Sequence, residues 1–549
     1  MLNTQEKTLF SIKEASQWAA EYLNKNVTPS NISYLIQYGQ IERVRDNGIT
    51  LVRKADLVKY YESYVKRRPA AWAAQLGEDL NWLLSFESVK EAETTKHVHR
   101  LHPYKGKFIP QLVEYFLDGH TDGFKQAAYF QKGDIVLDPF CGSGTTLVQA
   151  NELGLHAIGV DISAFNALMS NVKVDAHDFM CLYRECDKIT RALKRYVYES
   201  GIDAFDAKLT CALAAFNEVY FPSPDFKRRV RLREIDHKTY GAEKEQLFLE
   251  TYLQLAKQYK IDVNIPAGSE RFLDQWYLPC VRREIDVVLA LVEAVEDTET
   301  GRRSSCDGKT DVRLKNVLRL ILSRTIRSCR ATTHADLATL KAPVTTSYYC
   351  RKHGKVCKPL FSILGWWERY TKDTIKRLVE FDTLKTDTFQ VCLTGDSRTI
   401  HLFDVLESEN PELAKRAKAQ RIRGIFSSPP YVGLIDYHEQ HAYAYDVFDF
   451  DRRDDSEIGP LYRGQGKEAR DAYIEGIASV LRNCKRFLAP DYNIFLVAND
   501  KYEMYPSIAE GAGMDIVNRY KRPVLNRTEK NRSAYAEVIF HFKEKKTLM

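Results

Sequence analysis

Two kinds of hydrophobic pattern alternate along the chain and divide it into three parts. Near the N-terminus, short stretches with apolar residues at helical spacing surround two brief runs rich in β-branched residues. From residue 134 onward, apolar strand-like runs are followed by amphipathic stretches, which indicates a parallel, doubly wound sheet. Between residues 181 and 388 this alternation is absent and the pattern is mostly helical. The sequence therefore predicts an N-terminal unit and an α/β domain with a large, mostly helical insertion.

The boundaries of these parts follow the same pattern. We place the N-terminal unit at residues 1–68, the insertion at 181–388, and the two parts of the α/β domain at 69–180 and 389–549. The predicted strands of the α/β domain are Asp134–Asp138, His156–Ile162, Gly424–Ser427, Asn493–Ala498 and Val538–Phe542. Gly154 is the expected end of the helix between the first two strands.

The N-terminal unit is predicted as helix, turn, helix, hairpin and helix. Ser11 can cap a helix through Leu23, and Thr28-Pro29 can start a second helix that stops at Gly39. Two strands follow, Ile41–Arg45 and Ile49–Arg53, joined by a turn at Asp46–Gly48. A third helix, Ala55–Arg67, completes the unit. The segments SIKEASQWA and VTPSNISYLIQYGQI in this layout resemble the excisionase and MerR-like group, which implies a winged helix-turn-helix that binds DNA. A protein-protein module or a capping domain is the alternative.

Composition places the protein among soluble globular chains, with 44% hydrophobic and 28% charged residues. We find no apolar run long enough to cross a bilayer and no secretory leader, so we expect a cytoplasmic protein without membrane contact. The eleven cysteines are scattered and lie mostly in apolar segments, which favours reduced thiols over a disulfide framework.

Positive charge is concentrated in one part of the insertion. Residues 313–377 contain fifteen lysines and arginines and three acidic residues, a net charge of +12 in a chain whose total is +6. Aromatic residues lie among these cations, which is typical of a surface that binds a polyanion. A solvated helical face is the alternative interpretation.

Two glycines follow the first predicted strand. Gly142 and Gly144 lie where a strand leads into a helix, so the backbone can approach a ligand closely. Asp138 ends this strand and Asp161 closes the next, at about the spacing at which an acidic residue meets a ribose hydroxyl. The third glycine of a dinucleotide motif is replaced by Leu147. A cofactor with an amine and a sulfonium would suit these carboxylates better than a dinucleotide phosphate would.

Four motifs carry a family resemblance. DPFCGSGTT at Asp138–Thr146 and SSPPY at Ser427–Tyr431 strongly resemble the amino-methylating DNA methyltransferases, and HPYKGKFIP at His102–Pro110 and GDSR at Gly395–Arg398 resemble that family's cofactor motifs. The resemblance implies a Rossmann-like class I fold, S-adenosylmethionine as cofactor and double-stranded DNA as partner. The cofactor residues that it implies are Tyr104, Lys107, Phe108, Asp138, Phe140, Gly142, Gly144, Thr145, Thr146, Asp161, Ile162, Asp396 and Ser427.

The same resemblance implies a catalytic loop of Ser428, Pro429, Pro430 and Tyr431. The amine of a nucleobase is a poor nucleophile, and in this family the serine and the following proline carbonyl accept hydrogen bonds from its protons while the tyrosine stacks on the flipped base. Family members with serine before the prolines usually act on cytosine N4, so Ser428 favours cytosine. Standing alone, the tetrapeptide would be a rigid surface turn.

These motifs predict a methyltransferase of a restriction-modification or defence system. Any cognate endonuclease should be a separate protein, because we find no convincing nuclease constellation in this chain. One alternative keeps the reaction and changes the target to adenine in DNA or to a base in structured RNA. Another is a DNA-binding regulator that has lost turnover.

DNA recognition is assigned to the insertion because of its size and basicity. Within it, Arg324, Arg327 and Arg330 recur at helical spacing and suit phosphates or guanine edges, with a structural salt-bridge network as the alternative. Near the C-terminus, Lys521, Arg522 and Arg527 precede the last strand and suit phosphates beside a flipped base. A solvated loop is the alternative there.

Two further groups of residues have weaker patterns. Cys350, His353 and Cys357 could supply three ligands of a structural zinc, with Cys329 or His334 as a fourth. Because no close second pair follows, we assign no metal and expect ordinary packing or DNA-facing residues. His438 and His441 follow the proline loop, and we expect them to orient it rather than to act as a general base.

Overall fold

The computed structural model describes residues 8–23, 27–37, 41–46, 49–266, 268–296, 308–334, 336, 340–525 and 534–545. The predicted turn at Asn47 and Gly48, the predicted helix end at Gly39, and Arg527 lie outside these residues. Within them, none of the helices has the length and apolar character needed to cross a membrane.

The N-terminal elements follow the predicted order. They are β1 (Leu9–Ser11), α1 (Ile12–Leu23), α2 (Pro29–Gln37), β2 (Val44–Asp46), β3 (Ile49–Arg53) and α3 (Lys54–Leu76). Ser11 and Glu14 form a reciprocal cap, since each side chain accepts a hydrogen bond from the other's backbone N–H, at 2.9 and 3.3 Å. A small separate core holds the unit together, and it includes Ala15, Ile32 and Val52.

The end of α3 differs from the prediction. We expected this helix to stop at Arg67, before Pro69, but it continues to Leu76. A proline removes only one backbone donor, and here the helix continues beyond Pro69. The stop is Gly77, whose φ of 99° is costly for residues with a side chain and whose N–H caps the Ala73 carbonyl.

A seven-stranded sheet forms the centre of the α/β domain. Its strands are β4 (Ile135–Asp138), β5 (His156–Asp161), β8 (Gln390–Thr394), β9 (Ile422–Ser427), β10 (Leu488–Ala498), β11 (Met514–Pro523) and β12 (Ala536–Glu544). Their order is β11-β12-β10-β9-β4-β5-β8, parallel from β10 to β8, with β12 antiparallel to both of its neighbours. The parallel, doubly wound part of the prediction is therefore confirmed, although β8 and β11 were missed as strands.

Helices cover both faces of the sheet. On one face lie α5 (Pro110–Leu117), α6 (Thr145–Glu152) and α7 (Ala164–Val174), and on the other lie α16 (Leu402–Glu409), α17 (Pro411–Gln420), α20 (Lys467–Lys485) and α21 (Tyr505–Ala512). Side chains along each strand alternate between the two cores. Val136 and Ala157 face the first core, and Ile135 and Ile158 face the second. The loops at the strand ends are thereby held between two packed layers.

Between β5 and β8 the chain is mostly helical. This part contains α8 (Phe179–Glu199), α9 (Ile202–Tyr220), α10 (Asp225–Arg231), α11 (His237–Gln258), α12 (Phe272–Trp276), α13 (Pro279–Glu293), α14 (Gly308–Ser328) and α15 (Leu364–Asp382). A two-stranded hairpin was not anticipated, β6 (Tyr348–Cys350) with β7 (Lys355–Cys357). The helices share one continuous core with the α5–α7 face of the sheet. The remaining short helices are α4 (Glu91–Thr94), α18 (Tyr437–Gln440) and α19 (Ala442–Phe448).

The segment after α3 lies along the outer strand of the sheet. Leu80 forms a parallel bridge with Lys521 of β11, and the Asn81 N–H donates to the Lys521 carbonyl at 2.7 Å. The ammonium of Lys521 is 2.9 Å from the Asp79 carboxylate. Residues from both ends of the chain therefore meet at this edge.

Candidate active site

A cavity of about 880 Å³ opens at the carboxyl ends of the parallel strands. This edge is where open α/β sheets bind ligands, because the loops that follow neighbouring strands converge there. The predicted residues that line the cavity are Tyr104, Lys107, Phe108, Phe140, Gly142, Thr145, Asp161, Ile162, Asp396, Ser428 and Pro430. Motifs that are far apart in the sequence therefore meet in one place.

Asp161 lies at the end of β5 and is tied to the glycine loop. Its carboxylate accepts hydrogen bonds from the backbone N–H groups of Gly142 at 2.7 Å and Ser163 at 2.9 Å, and from the Asn166 amide at 3.1 Å. Burial raises the pKa of Asp161 to about 6, although these hydrogen bonds oppose the rise. The carboxylate thus has a fixed orientation toward the cavity.

Gly142 leaves room for the aromatic wall. Its φ is 52°, and a Cβ atom there would lie 2.9 Å from the Tyr104 hydroxyl oxygen. Tyr104 itself stacks on Tyr437 with a centroid distance of 5.9 Å. Lys107 also lines the cavity, and its ammonium donates to the His99 carbonyl at 2.6 Å. A residue other than glycine at 142 would push Tyr104 away.

Four predicted cofactor residues lie behind the cavity wall rather than on it. They are Asp138, Gly144, Thr146 and Ser427. The Ser427 hydroxyl donates to Asp138 Oδ1 at 2.5 Å, and the Thr146 hydroxyl donates to the Phe426 carbonyl at 3.3 Å. These bonds tie β4 and α6 to the end of β9. The carboxylate of Asp138 accepts its hydrogen bonds from groups of the protein. Burial raises the pKa of Asp138 to about 6. The carboxylate therefore fixes the start of the proline loop from behind the cavity wall, and its predicted contact with the cofactor stays a prediction.

Asp396 lies in the loop after β8 and is paired with Arg398. The guanidinium holds the carboxylate with two hydrogen bonds, at 2.6 and 3.0 Å. Partial burial raises the pKa of Asp396, but the hydrogen bonds from Arg398 more than offset this and keep it below its ordinary value. The carboxylate is ionised at neutral pH and faces the cavity.

The proline loop begins directly after β9. Ser428 and Pro430 line the cavity, and the Ser428 hydroxyl donates to the Val497 carbonyl at 3.1 Å. A hydroxyl has one proton, so the lone pairs of this oxygen are left to accept hydrogen bonds. Pro429 and Tyr431 are not part of the cavity wall.

Tyr431 is held by residues of the last two strands. Its hydroxyl donates to Glu537 of β12 at 2.9 Å, and Arg522 of β11 donates to the same carboxylate at 2.8 Å. Burial raises the pKa of Tyr431 above its ordinary value. The predicted stacking of this ring on a base stays a prediction.

A second group that lines the same cavity is centred on His438, which the sequence singled out without its partner Glu457. This imidazole is fully buried, and its Nδ1 pairs with the Glu457 carboxylate. Its Nε2 is buried and has no hydrogen-bond partner among the described residues. The nearness of His438 to the proline loop was visible in the sequence, but a partner nineteen residues away was not. The neighbouring His441 is neutral, because burial lowers its pKa to about 3.

One comparison covers almost the whole chain. Type II methyltransferase M.MjaII of Methanocaldococcus jannaschii is 42% identical over 98% of this chain and 97% of its own length. The family model of the N6/N4 class, described as DNA methylase, matches residues 5–170. The chain belongs to the N6/N4 family of type II DNA methyltransferases.

Other relatives of the methyltransferase match over shorter stretches. Type II methyltransferase M.BsoBI of Geobacillus stearothermophilus is 31% identical over 20% of this chain and 19% of its own length. A tRNA (guanine(10)-N2)-dimethyltransferase of Methanocaldococcus jannaschii is 29% identical over 20% of this chain and 32% of its own. No solved structure matches the chain.

A second cavity of about 1220 Å³ adjoins the first in the methyltransferase. Tyr104 lines both cavities, and Arg327, Arg330, His441 and Tyr443 line the second. The guanidinium of Arg330 lies over the Tyr443 ring, 6.0 Å from its centroid. Arg327 is half-buried and has no ion-pair partner among the described residues. Of the three predicted arginines, these two line the second cavity, beside the active-site cavity.

Arg324 does not fit the prediction of a DNA-facing side chain. It is 5% exposed, donates to the Asp373 carboxylate at 2.5 Å and lies over the Tyr370 ring at 4.4 Å. The alternative interpretation, a structural salt bridge, therefore describes this residue. The reason is its position on α14, where the buried face meets α15.

The C-terminal cations of the methyltransferase also have protein partners. Arg522 is 4% exposed and bound to Glu537, and Lys521 is bound to Asp79. Both lie on β11 and stabilise the sheet edge, so neither is placed as a free phosphate ligand. Arg527 lies outside the described residues.

Proposed function

We propose that the methyltransferase transfers a methyl group from S-adenosylmethionine to the N4 amine of a cytosine that is flipped out of duplex DNA. The observation that carries this proposal is the position of Ser428. Its oxygen faces the cavity with its only proton engaged by Val497, so it can accept a hydrogen bond from a nucleobase amine but cannot compete as a donor to it. We place the enzyme in a restriction-modification system with a separate endonuclease.

The residues of the cavity fit the proposed cofactor. S-adenosylmethionine is a sulfonium cation that supplies an electrophilic methyl group. Asp161 offers a carboxylate that suits ribose hydroxyls, and Asp396 offers a second one toward the adenine side. Phe140 and Ile162 add apolar contacts between them. The ionised form of Asp161 also favours a cation nearby, whereas the charge of Asp396 is already paired with Arg398.

The proline loop would act on the target amine. The Ser428 oxygen and the Pro429 carbonyl accept hydrogen bonds from its two protons as the nitrogen becomes tetrahedral. Proline cannot donate a backbone hydrogen bond, so the loop presents acceptors to an amine. The amine nitrogen would form its new bond to the methyl carbon as the bond from that carbon to the sulfonium sulfur breaks and leaves its electron pair on the sulfur. The methylated amine would then lose one proton to solvent. The loop contributes orientation and electrostatic stabilisation rather than covalent chemistry.

Cytosine is favoured over adenine by the residue before the prolines. Family members with serine at this position usually methylate cytosine N4, and Ser428 occupies it here. Adenine N6 is the alternative target, because its amine has the same chemistry and the same need for acceptors.

Duplex DNA would reach this site along the helical insertion, and the N-terminal unit would supply a further DNA contact. The basic residues of the insertion supply positive charge, and Arg327 and Arg330 lie beside the active-site cavity. The order of elements in the N-terminal unit suits a winged helix-turn-helix, whose second helix would be α2.

The experiment that tests this function is product analysis. The purified protein is incubated with labelled S-adenosylmethionine and either genomic DNA or bulk tRNA, and the digested nucleosides are identified by mass spectrometry. We expect N4-methylcytosine from DNA and no methylated product from tRNA. N6-methyladenine as the sole DNA product would overturn the choice of base, and labelled tRNA with unlabelled DNA would overturn the substrate class.

Replacing Arg327 with alanine is expected to weaken DNA binding without lowering the melting temperature. The side chain has no described ion-pair partner to lose, whereas a phosphate contact accounts for about 0.9 in the slope of log affinity against log salt. Titrations at several salt concentrations measure that slope.

Arg324 supplies the matched control. Arg324→Ala leaves Asp373 without one of its two guanidinium partners and should destabilise the fold by about 2–3 kcal/mol, while the salt slope stays unchanged. If Arg324→Ala reduces the slope and Arg327→Ala does not, the assignment of the two residues is reversed.

A further inference from the structure

We propose that the hairpin in the helical insertion holds a structural Zn²⁺ ion through His334, Cys350, His353 and Cys357. This site does not depend on the proposed reaction, since it lies outside both cavities described above. One ligand atom from each of these four residues lies within 4.8 Å of the corresponding atoms of the others. Two thiolates and two imidazoles are a common tetrahedral zinc set.

The observed spacing agrees with a tetrahedral centre. Zn–S and Zn–N bonds of about 2.3 and about 2.05 Å, respectively, place a sulfur and a nitrogen ligand roughly 3.6 Å apart. The Cys357 Sγ and His353 Nδ1 atoms are 3.5 Å apart. An S–H···N hydrogen bond also has this length, so the convergence of all four ligand atoms, and not this one distance, points to a metal.

The backbone brings the ligands together through a tight turn. Cys350 ends β6, Cys357 ends β7, and His353 lies in the turn between them. Gly354 follows with a φ of 66°, and its N–H donates to the Cys350 carbonyl at 2.7 Å. Glycine is required because a side chain would be strained at this φ. The chain thus reverses just after His353. This reversal brings the side chains of Cys350 and His353 to the same side of the hairpin.

His334 comes from the segment after α14 and is oriented by a neighbour. Its Nδ1 is 2.7 Å from the Tyr348 hydroxyl, which leaves Nε2 as the ligand atom. Zinc-bound histidines commonly use the second ring nitrogen for such a bond, because it fixes the ring. Tyr348 belongs to β6, so the hairpin itself positions the fourth ligand.

The hairpin packs on the main core through Val356 and Tyr349, but the side that carries the ligands has only a small core of its own. Its buried cluster consists of Tyr348, Cys350 and Cys357, with Val344 packed against it. Three residues bury little apolar surface between this side of the hairpin and the separate segment of His334, and a metal would add a link between the two. The zinc would join the hairpin to the chain just beyond Arg327 and Arg330, and so hold that end of α14 in place.

Metal analysis of the full-length protein, expressed without a histidine tag, tests the site. We expect one zinc ion per chain by elemental mass spectrometry. Cys357→Ser and His334→Ala should lose it, whereas the exposed controls Cys211→Ser and His401→Ala should keep it. His353→Cys preserves four ligands and should also keep it.

Cobalt substitution of the wild-type protein gives a readout that does not depend on variant folding. Co²⁺ added to the reduced, metal-free chain should produce a thiolate charge-transfer band and the intense visible bands of a tetrahedral centre. His353→Cys should strengthen the thiolate band. A reduced wild-type chain that takes up neither Zn²⁺ nor Co²⁺ overturns the proposal, as does a Cys357→Ser variant that retains a full equivalent. A disulfide between Cys350 and Cys357 in freshly purified protein would overturn it as well.

Discussion

Ser428→Ala is expected to reduce the rate of methyl transfer by roughly 10²–10³-fold, the usual effect of removing one preorganised hydrogen-bonding group from a reacting centre. The Ser428 oxygen is fixed by its bond to Val497 and faces the cavity, so alanine removes an acceptor without changing the backbone. Single-turnover kinetics with labelled S-adenosylmethionine measure the step directly. Cofactor affinity should stay unchanged, because the residues proposed to bind the cofactor are left intact.

Ser408 provides a matched serine for this comparison. It is exposed on α16, far from the cavity, and its hydroxyl bonds only within its own helix. Ser408→Ala should have the wild-type rate. A normal rate for Ser428→Ala would remove the basis of the proposed mechanism, since the proline loop would then present no essential side-chain acceptor.

Asp161→Asn is expected to weaken S-adenosylmethionine binding roughly 10- to 100-fold at neutral pH, because a charged hydrogen-bonding group is replaced by a neutral one. The variant keeps the shape of the side chain but loses the negative charge at the end of β5. Isothermal titration calorimetry gives the affinity, and Asp404→Asn on the surface of α16 is the matched control.

The pH dependence of binding provides a second test of Asp161. Burial raises the pKa of this carboxyl to about 6, so the ligand-free protein is increasingly protonated below that value. If only the ionised form binds, affinity falls about tenfold for each pH unit below the pKa and is constant above it. The pH dependence between about pH 5 and about pH 8 should be lost in Asp161→Asn. An unchanged profile in that variant would assign the titration to another group.

The raised pKa of Asp161 also determines the direction in which this residue changes the stability of the fold with pH. The folded pKa of about 6 exceeds the ordinary value of 3.8, so the folded state binds more protons than the unfolded chain between these two values. The contribution of Asp161 to the free energy of unfolding of the ligand-free protein therefore decreases as pH rises through this window. A bound cation at neutral pH would offset that loss.

The sheet and most of the cavity could be predicted from sequence because their signals are local. The strands β4 and β5 are short apolar runs that end in Asp138 and Asp161, and parallel strands bring such ends to one edge. By contrast, β11 was missed, since its sequence contains many polar residues and its outer edge lies near the surface. The pairing of β11 with β12 depends on the three-dimensional fold, and no local sequence pattern indicates it.

The roles of individual polar side chains were harder to predict. Ser427 and Ser428 are adjacent and identical in type, yet one is buried against Asp138 and the other faces the cavity, because successive residues of an extended chain point in opposite directions. Arg324 and Arg327 share a helix, but only the fold brings Asp373 to Arg324 from 49 residues away. The fourth zinc ligand was left open between Cys329 and His334 for the same reason.

The contact of Leu80 and Asn81 with Lys521 has a consequence for shortened forms of the enzyme. β11 is a ten-residue strand at the edge of the sheet. Unpaired backbone groups on the outer side of an edge strand are a template for pairing between molecules. The segment at Leu80 and Asn81 covers part of that side in β11. A deletion that removes the N-terminal unit together with Leu80 and Asn81 would expose the backbone N–H and C=O groups of this edge strand, which would then be open to pairing with a second molecule. A catalytic fragment that stays soluble therefore has to begin before Asp79.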